Sequence, residues 1–296
     1  MLQVNMLSNK TKKERQLIGC FLFCPLLLLF TFGIYPIFAL IEYSFTSWNG
    51  LSPVKTYVGF SNYIKILTDP VYLKVFFNSL IYFIAGFIQI VIALFFAILL
   101  STKVKGKNFF KATFVFPCLI SGMAVAMLFR LFFSPGGSFD SLLELIGLTE
   151  HTRYWLGDPR VVNYTLGFIS IWRHTGKSFI LYFGAVQCVP LEHYKLAEIE
   201  GASWWQKVRL VILPGIQIVL KINFILLTIG ALSTFELPLI LTNGSNGTMT
   251  FLLQTMKTAF EKKMFGLAAS MAVIVSLVIL AITAIQNKIY KGVEDD

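Results

Sequence analysis

The sequence predicts an all-α protein that crosses a membrane six times, with both termini on the cytoplasmic side. Three observations carry this expectation. Apolar residues make up 56% of the chain and charged residues 14%, where soluble domains carry about a quarter charged, and mean hydropathy is +0.73. Six runs each reach the roughly 20 apolar residues that a helix needs to cross about 30 Å of hydrocarbon. Lys and Arg gather in alternate connectors, which is how membrane topology is written.

In order, the runs are Leu17–Ser44, Asn78–Ser101, Ala112–Phe133, Val161–Val186, Gly215–Leu241 and Met264–Ile289. Basic residues precede the first (Lys10, Lys12, Lys13, Arg15), separate the second from the third (Lys103, Lys105, Lys107, Lys111) and end the chain (Lys288, Lys291). These segments and the insert Val189–Pro214 are expected on the cytoplasmic side. The organisation is a tail over 1–16, a membrane domain over 17–289 and a tail over 290–296. Alternating ten-residue segments of the barrel kind are missing. Three connectors fall on the outer side: 46–77, rich in turn residues before a helix-like stretch; 134–160, with "SPGG" and the amphipathic "SFDSLLELIGL"; and 242–263, with "TNGSNGT" before "FLLQTMKTAF". Their pattern fits partner-contacting surface helices and plain connectors equally.

The net charge of +10 sits in those connectors, so nucleic acid is excluded as a partner and the lipid bilayer is the expected one. Cys20, Cys24, Cys118 and Cys188 lie in or beside apolar runs without ligand spacing to histidine, so they read as small core side chains and no metal site is expected. "LIGC" at Leu17–Cys20 precedes its apolar run, which rules out a lipoprotein box. The first run is too long for a removable signal peptide and has no small-residue cleavage site.

Polar residues inside the apolar runs are the candidates for function. The fourth run contains "SIWRHTGKSF". Arg173 and Lys177 share a helix face, with Ser170 and His174 beside them. A charge at the bilayer centre costs about 2.5–3.5 kcal/mol on insertion scales, so these cations should face a carboxylate or a water-filled cavity. The fifth run supplies Asn223, Thr228, Ser233, Thr234 and Glu236. Two readings stay open and are compatible: Glu236 forms an internal ion pair with Arg173 or Lys177, or these groups line a substrate path. Gln89 and Asn78 fit inter-helix hydrogen bonds, and Arg130 can snorkel to the outer interface.

The insert "VPLEHYKLAEIEGASWWQKVRLVILP" carries its own local logic. Pro190 and Glu192 suit a helix N-terminus, and Leu191, Tyr194 and Ala197 fall roughly on one side. Gly201 stands where a helix C-terminus is expected. A second helix then starts within "ASWWQKVRLVIL" and Pro214 closes the unit. The segment reads as a helix–glycine–helix corner lying against the membrane.

This insert resembles the cytoplasmic signature of ABC importer permeases: Glu-Ala-Ala, three residues, Gly, nine residues, Ile, any residue, Leu-Pro. Set on Gly201, it places Lys195-Leu196-Ala197 at the triplet, Val211 at the isoleucine and Leu213-Pro214 at the end. Lys195 stands where the family has an acid, and Leu196 where it has alanine. "LLLLFTFGIYPIFALIEYSFTSWNG", "GFSNYIKILTDPVYLKVFFNSL", "GKNFFKATFVFP", "LPLILTNG" and "FGLAASMAVIVSLVILAI" are similar to the carbohydrate-type permeases of the maltose and glycerol-3-phosphate class, specifically to the first of their two paired permeases. After "LTNG", Ser245-Asn246 replace the usual Gly-Pro.

The resemblance implies a type I ABC importer permease fold in a bacterial cytoplasmic membrane. Implied partners are a second homologous permease, two ABC ATPase subunits that hold ATP and Mg, and an extracytoplasmic solute-binding protein; this chain itself binds no cofactor. Tyr194, Lys195, Ala197, Glu198, Gly201, Ala202, Leu213 and Pro214 would belong to the helix that docks on an ATPase. Ser170, Arg173, His174, Lys177 and Thr234 fall where the family contacts sugar, with Ser233 and Glu236 as neighbours on the substrate path. The cations there point to an anionic saccharide, such as a uronic-acid oligosaccharide, or a phosphorylated polyol; neutralisation by Glu236 would instead fit a neutral di- or oligosaccharide. No GxxxxGK[ST] loop is present, so ATP hydrolysis belongs to another subunit. A membrane-embedded enzyme is disfavoured, because the chain holds only His151, His174 and His193 and no HExxH or paired-acid motif.

Overall fold

The computed structural model describes residues 12–102 and 104–294, with the side chains of 12, 13, 15, 16 and 290–294 excepted. The expectations for Lys10, Lys12, Lys13, Arg15, Lys103 and Lys291, and for the tails 1–16 and 290–296, therefore rest on residues or side chains outside that set. Among the described residues every regular element is a helix, and the only β-like contact is one bridge between Thr46 and Tyr57. The chain divides into two compact units, one holding Met1–Ile64 with Thr258–Val273 and the other Lys65–Lys257 with Ile274–Asp296.

In the first unit, α1 (Lys12–Leu29) passes through one π turn, Phe30–Ile34, into α2 (Tyr35–Ser44). None of the most apolar stretch of Leu17–Ser44 is buried within the chain. The following loop is tied down through backbone carbonyls. Asn62 donates to Ser44 (3.0 Å) and Thr46 (2.9 Å), and Ser270 donates to Ser44 (2.7 Å). Gly266 lies against the Thr46 carbonyl, where a Cβ would fall 1.8 Å from the oxygen. Lys55 bonds Glu42 at 2.9 Å and lies over the Tyr43 ring; the carboxylate bond holds its ammonium above the usual lysine range.

The second unit is built on α4 (Pro70–Ser101) and α8 (Val162–Cys188). Helix α3 (Ser61–Thr68) precedes α4, whose N-cap is Asp69, accepting from Val71 N–H at 2.9 Å. The predicted run Asn78–Ser101 is thus extended by two turns. Ala85, Gln89, Ala93 and Ala97, four residues apart, form a buried stripe on α4. Small side chains there let helices approach closely without a hydrophobic drive from lipid. A Cβ added at Gly167 of α8 would lie 3.6 Å from that of Ala85. Gln89 makes the expected inter-helix bond, to the His174 carbonyl (3.3 Å), whereas Asn78 bonds the Met249 carbonyl in the connector just before Phe251 (2.8 Å).

Two spans expected to be uninterrupted are broken. Ala112–Phe133 is two helices, α5 (Lys107–Leu119) and α6 (Gly122–Phe132), bent by 100°. Pro117 removes a donor from the last turn of α5, Ile120 is extended, and Ser121 caps α6 by accepting from Ala124 N–H at 3.2 Å. Gly215–Leu241 becomes α11 (Gln217–Leu232) and α12 (Glu236–Thr242), separated at Ser233–Phe235. The Thr234 carbonyl freed by this break accepts from the Thr250 hydroxyl at 2.6 Å. By length and apolarity four helical stretches can cross a membrane, or five with α5 and α6 counted together. Helix α8 is not among them although its 27 residues reach about 40 Å, because its middle is too polar. The connectors expected on the outer side hold α3, α7 (Ser138–Leu145) and α13 (Phe251–Phe260); α14 (Phe265–Glu294) ends the described chain.

Gly176 marks a close approach of α8 to α5: a Cβ there would fall 2.3 Å from the Phe114 carbonyl oxygen. Gly176→Val is expected to overpack this contact by about 1–3 kcal/mol and to lower the midpoint of thermal unfolding in detergent. Gly184→Ala, with nothing near its Cβ position, should leave the midpoint unchanged or raise it. Equal melting of the two variants would count against this packing.

Candidate functional site

Helix α8 places Ser170, His174 and Lys177 at i, i+4 and i+7, one stripe of its surface. The stripe lines a cavity of about 220 Å³ between α4, α8 and α11, with Thr234 at one end and Tyr82, Gln89, Ser178 and Asn223 around it. His174 Nδ1 lies 2.9 Å from the Ser170 carbonyl. A carbonyl only accepts, so Nδ1 carries the hydrogen and Nε2 is left for a ligand. Ser178 donates to Asn223 Oδ1 at 3.2 Å, which uses the acceptor of that amide and not its donor. Asn223 Nδ2 and Tyr82 Oη are both buried without a protein partner among the described residues. An unmet buried polar atom costs about 1–3 kcal/mol, so these two want water or the hydroxyls of a solute.

Arg173 leaves this stripe and bonds Glu236, Nη1 to Oε2, at 2.7 Å; the side chains are 17% and 41% exposed. The carboxylate rests on Gly122 at the start of α6, where a Cβ would fall about 1.9 Å from Oε1. Of the two ion pairs open to Glu236, the structure forms the one with Arg173. Among the described residues Lys177 has no ion-pair partner. The structure thus brings Ser170, His174, Lys177 and Thr234 to one cavity and sets Arg173 and Glu236 beside it as a pair. Ser233 lies in the α11–α12 break and does not line the cavity. Tyr82 carries no signal in the sequence, since one tyrosine in an apolar run reads as packing; Gln89 and Asn223 stand out only as polar breaks in such runs. Among the described residues no three His, Cys, Asp or Glu side chains cluster as metal ligands.

The insert forms the expected corner. Helix α9 (Leu191–Ile199) is N-capped by Pro190 and carries Glu192 in its first turn. It ends in a Schellman motif: Ala202 N–H bonds the Ala197 carbonyl (2.9 Å), Gly201 N–H bonds the Glu198 carbonyl (3.1 Å), and Gly201 has φ +73°. The left-handed conformation explains the glycine. Ser203 and Gln206 then form a capping box for α10 (Trp204–Lys207), each side chain satisfying a backbone N–H that the first helical turn leaves open. The chain continues through a π turn at Val208–Ile212 into Leu213–Gly215. Lys207 bonds Glu198 across the corner at 2.9 Å. Ala197 is buried and Tyr194 half-buried, its phenol pushed above the usual range by burial. Leu191, expected on the same side, is exposed, as are Leu196, Ile199 and Trp205. Val189, Val208, Ile212 and Ile216 root the corner in a buried cluster with Ile98 of α4 and Val186 of α8.

Broken spans around a polar cavity, with a rooted helix–glycine–helix corner at one end, define a permease of the type I ABC importer class, a multi-pass transport subunit and not an enzyme. The chain belongs to the family described as binding-protein-dependent transport system inner membrane component, which it matches over residues 89–295. It is 31% identical to the probable ABC transporter permease protein YurN of Bacillus subtilis strain 168, over 94% of this chain and 97% of that protein. It is 30% identical to the multiple sugar-binding transport system permease protein MsmF of Streptococcus mutans, over 93% and 95%. A crystal structure of a bacterial ABC transporter involved in the import of the acidic polysaccharide alginate superposes with a TM-score of 0.84 at 19% identity, covering 94% of this chain and 96% of that one. This protein is accordingly an inner-membrane component of a binding-protein-dependent transport system.

Removing one member of the Arg173–Glu236 pair strands the other. Glu236→Gln is expected to destabilise the folded chain by about 1–3 kcal/mol, less than for a fully buried pair because Glu236 is partly open. The double change Arg173→Met with Glu236→Leu should recover most of that loss. Additive losses in a double-mutant cycle of thermal midpoints would show that the two groups are not coupled.

Proposed function

We propose that the chain carries an acidic saccharide across a bacterial cytoplasmic membrane by alternating access, along the cavity formed by Ser170, His174, Lys177 and Thr234. The observation that supports an acidic ligand is the charge balance. Glu236 is engaged by Arg173, so Lys177, the one lysine among the cavity's described lining residues, is left without an ion-pair partner. A uronic-acid carboxylate would pair with Lys177, while its hydroxyls meet His174 Nε2, Tyr82 Oη and Asn223 Nδ2. The likeness to the alginate importer agrees with this reading at the level of fold. A neutral oligosaccharide would leave Lys177 without a counter-charge inside the membrane, and a phosphorylated polyol would use few of the hydroxyl partners.

The remaining parts of the machine follow the family. A second permease would pack on this one, and the unburied apolar length of Leu17–Ser44 offers it a surface beside lipid. Two ATPase subunits would hold ATP and Mg, and an external binding protein would deliver the sugar; both termini would lie in the cytoplasm. The corner at Tyr194–Ala202, with Leu213 and Pro214 closing it, would dock on an ATPase through the exposed Leu191, Leu196 and Ile199. Lys195 projects from the same helix, exposed, and among the described residues has no ion-pair partner, so an acidic group on the ATPase would complement it. Closure of the ATPases then biases a two-state element.

In proteoliposomes holding the assembled importer, Lys177→Ala is expected to reduce uptake of an acidic oligosaccharide by about tenfold, one charge-assisted bond, and uptake of its neutral analogue far less. Equal uptake of both analogues by the parent protein would remove the acidic reading. Gly201→Val should leave membrane insertion intact and separate ATP hydrolysis from uptake, because a β-branched residue cannot hold φ +73° without strain. Normal coupled uptake in that variant would count against the corner as the docking element.

A further inference from the structure

We propose that a second cavity, at the Val162 end of α8, is a separate saccharide subsite: a vestibule that takes an acidic sugar residue before it reaches the cavity at His174 and Lys177. The ligand class rests on the import reading above; the site rests on different residues. The vestibule measures about 440 Å³ and shares no lining residue with the first cavity, and its size is ordinary for a small-molecule site. Its walls are the end of α6 with Arg130, the loop before α8 with Tyr154, and the turn after α12 with Asn243 and Asn246.

Each of these residues is held ready, and its side chain is left open to a ligand. Arg130 is exposed in the last turn of α6 and makes no ion pair among the described residues. Its planar fork matches a carboxylate. Tyr154 is 60% exposed, yet its ring is fixed against Gly157, where a Cβ would fall 2.0 Å from Cδ1. Its carbonyl accepts from Gly157 (2.9 Å) and Asp158 (2.8 Å). A fixed aromatic face offers apolar contact area at little entropic cost, and a sugar ring has such a face to stack on it.

Asn243 and Asn246 have φ of 51° and 57°, conformations that side chains other than glycine adopt at a cost. Asn243 ends α12 as a left-handed C-cap, but Asn246 has no helix to end. The turn is pinned by bonds that spare both amides. Lys257 donates to the Asn243 carbonyl (3.0 Å), Asn163 donates to the Gly247 carbonyl (3.2 Å), and the Thr242 and Thr248 hydroxyls meet at 2.6 Å. Backbone strain held in place by surrounding bonds is found at ligand clamps. A free amide supplies a donor and an acceptor, the pair that vicinal hydroxyls need. Guanidinium, amides and a fixed ring together fit an acidic saccharide better than phosphate, which has no face to stack, or a neutral sugar, which would leave Arg130 unmatched. Glu236 opens the helix whose far end forms the vestibule, and Thr234, two residues earlier, lines the first cavity. Helix α12 therefore spans the distance between the two cavities, with Glu236 at its start.

The test uses the full chain in lipid nanodiscs with the subunits that co-purify with it. Cys20, Cys24, Cys118 and Cys188 are changed to Ser, and one reporter cysteine is placed at the vestibule rim, Pro135→Cys, or Ser245→Cys as a second position. Trigalacturonate is expected to slow labelling of the reporter by a water-soluble maleimide, and maltotriose is not. Arg130→Gln should raise the half-protecting concentration by about tenfold, Arg130→Lys should restore most of the protection, and Lys177→Ala should leave it intact. Absence of protection at both reporters, equal protection by maltotriose, or full protection in Arg130→Gln overturns the vestibule. ATP-driven uptake of labelled trigalacturonate, measured in parallel, separates the two proposals. Uptake with unprotected reporters overturns the vestibule and leaves the import reading standing; protection without uptake upholds the subsite and removes the import reading.

Discussion

Hydrocarbon offers no hydrogen-bond partners, so every interruption of a membrane helix must be satisfied by the protein or by a water-filled space that it lines. The form of the helical core follows from this constraint. The α5–α6 break is met by Ser121, and the α11–α12 break by Thr250. Both breaks lie beside Arg173 and Glu236: one contributes Gly122 beneath the carboxylate and the other contributes the carboxylate itself. A charge pair that would be costly in lipid is placed where irregular backbone already demands a polar interior. The first cavity is the space these requirements leave between α4, α8 and α11.

Once the pair is formed, it decides what the neighbouring residues can do. Arg173 is spent on Glu236, so the cavity's cationic character comes from Lys177. The pair also couples positions far apart in sequence, 63 residues along the chain. Shifting α12 relative to α8 would break it, and an acidic solute offers Arg173 a replacement carboxylate. An ion pair of this kind contributes less to stability than to choosing one arrangement of the helices over another.

Much of this is legible in the sequence because it is written in composition and short spacing. The apolar runs mark the long helices, and the turn chemistry of Pro190 and Gly201 marks the corner's first helix to within a residue. Arg173, Lys177 and Glu236 announce themselves as charges in apolar runs, and insertion energetics require a partner or water for each. What hydropathy does not show is where a run bends. Pro117 and the Ser121-Gly122 pair look tolerable inside a span, and the 100° turn depends on α6 meeting α8 and α12, contacts that no local pattern encodes. Tyr82 is hidden for a related reason: only tertiary packing decides whether a tyrosine in an apolar run meets a partner or, as here, is left buried with its hydroxyl open. Leu191 departs from its expected side because a helix of nine residues closed at its C-terminus by backbone bonds at Gly201 and Ala202 need not bury its apolar side.

The corner and the cavity belong to one mechanical element. Helix α8 runs without a break from Val162, past Ser170 and Lys177, to Cys188, and the insert's first helix starts within one turn of that end. Lys177 is about 16 Å along the axis from Cys188. The insert is not merely tethered there. Val189, Val208, Ile212 and Ile216 are buried together with Val186 of α8 and Ile98 of α4, and close-packed interiors transmit displacement because they lack room to absorb it. The corner's own flexible joint, Gly201, is bridged by the Lys207–Glu198 bond. A force applied at α9 is therefore passed to α4 and α8, two of the helices that line the cavity. The π turn at Val208–Ile212 lies inside this connection, and π turns store an extra residue that a helix can release by changing register. This turn lies between the surface that a partner would move and the helices that line the cavity at Lys177.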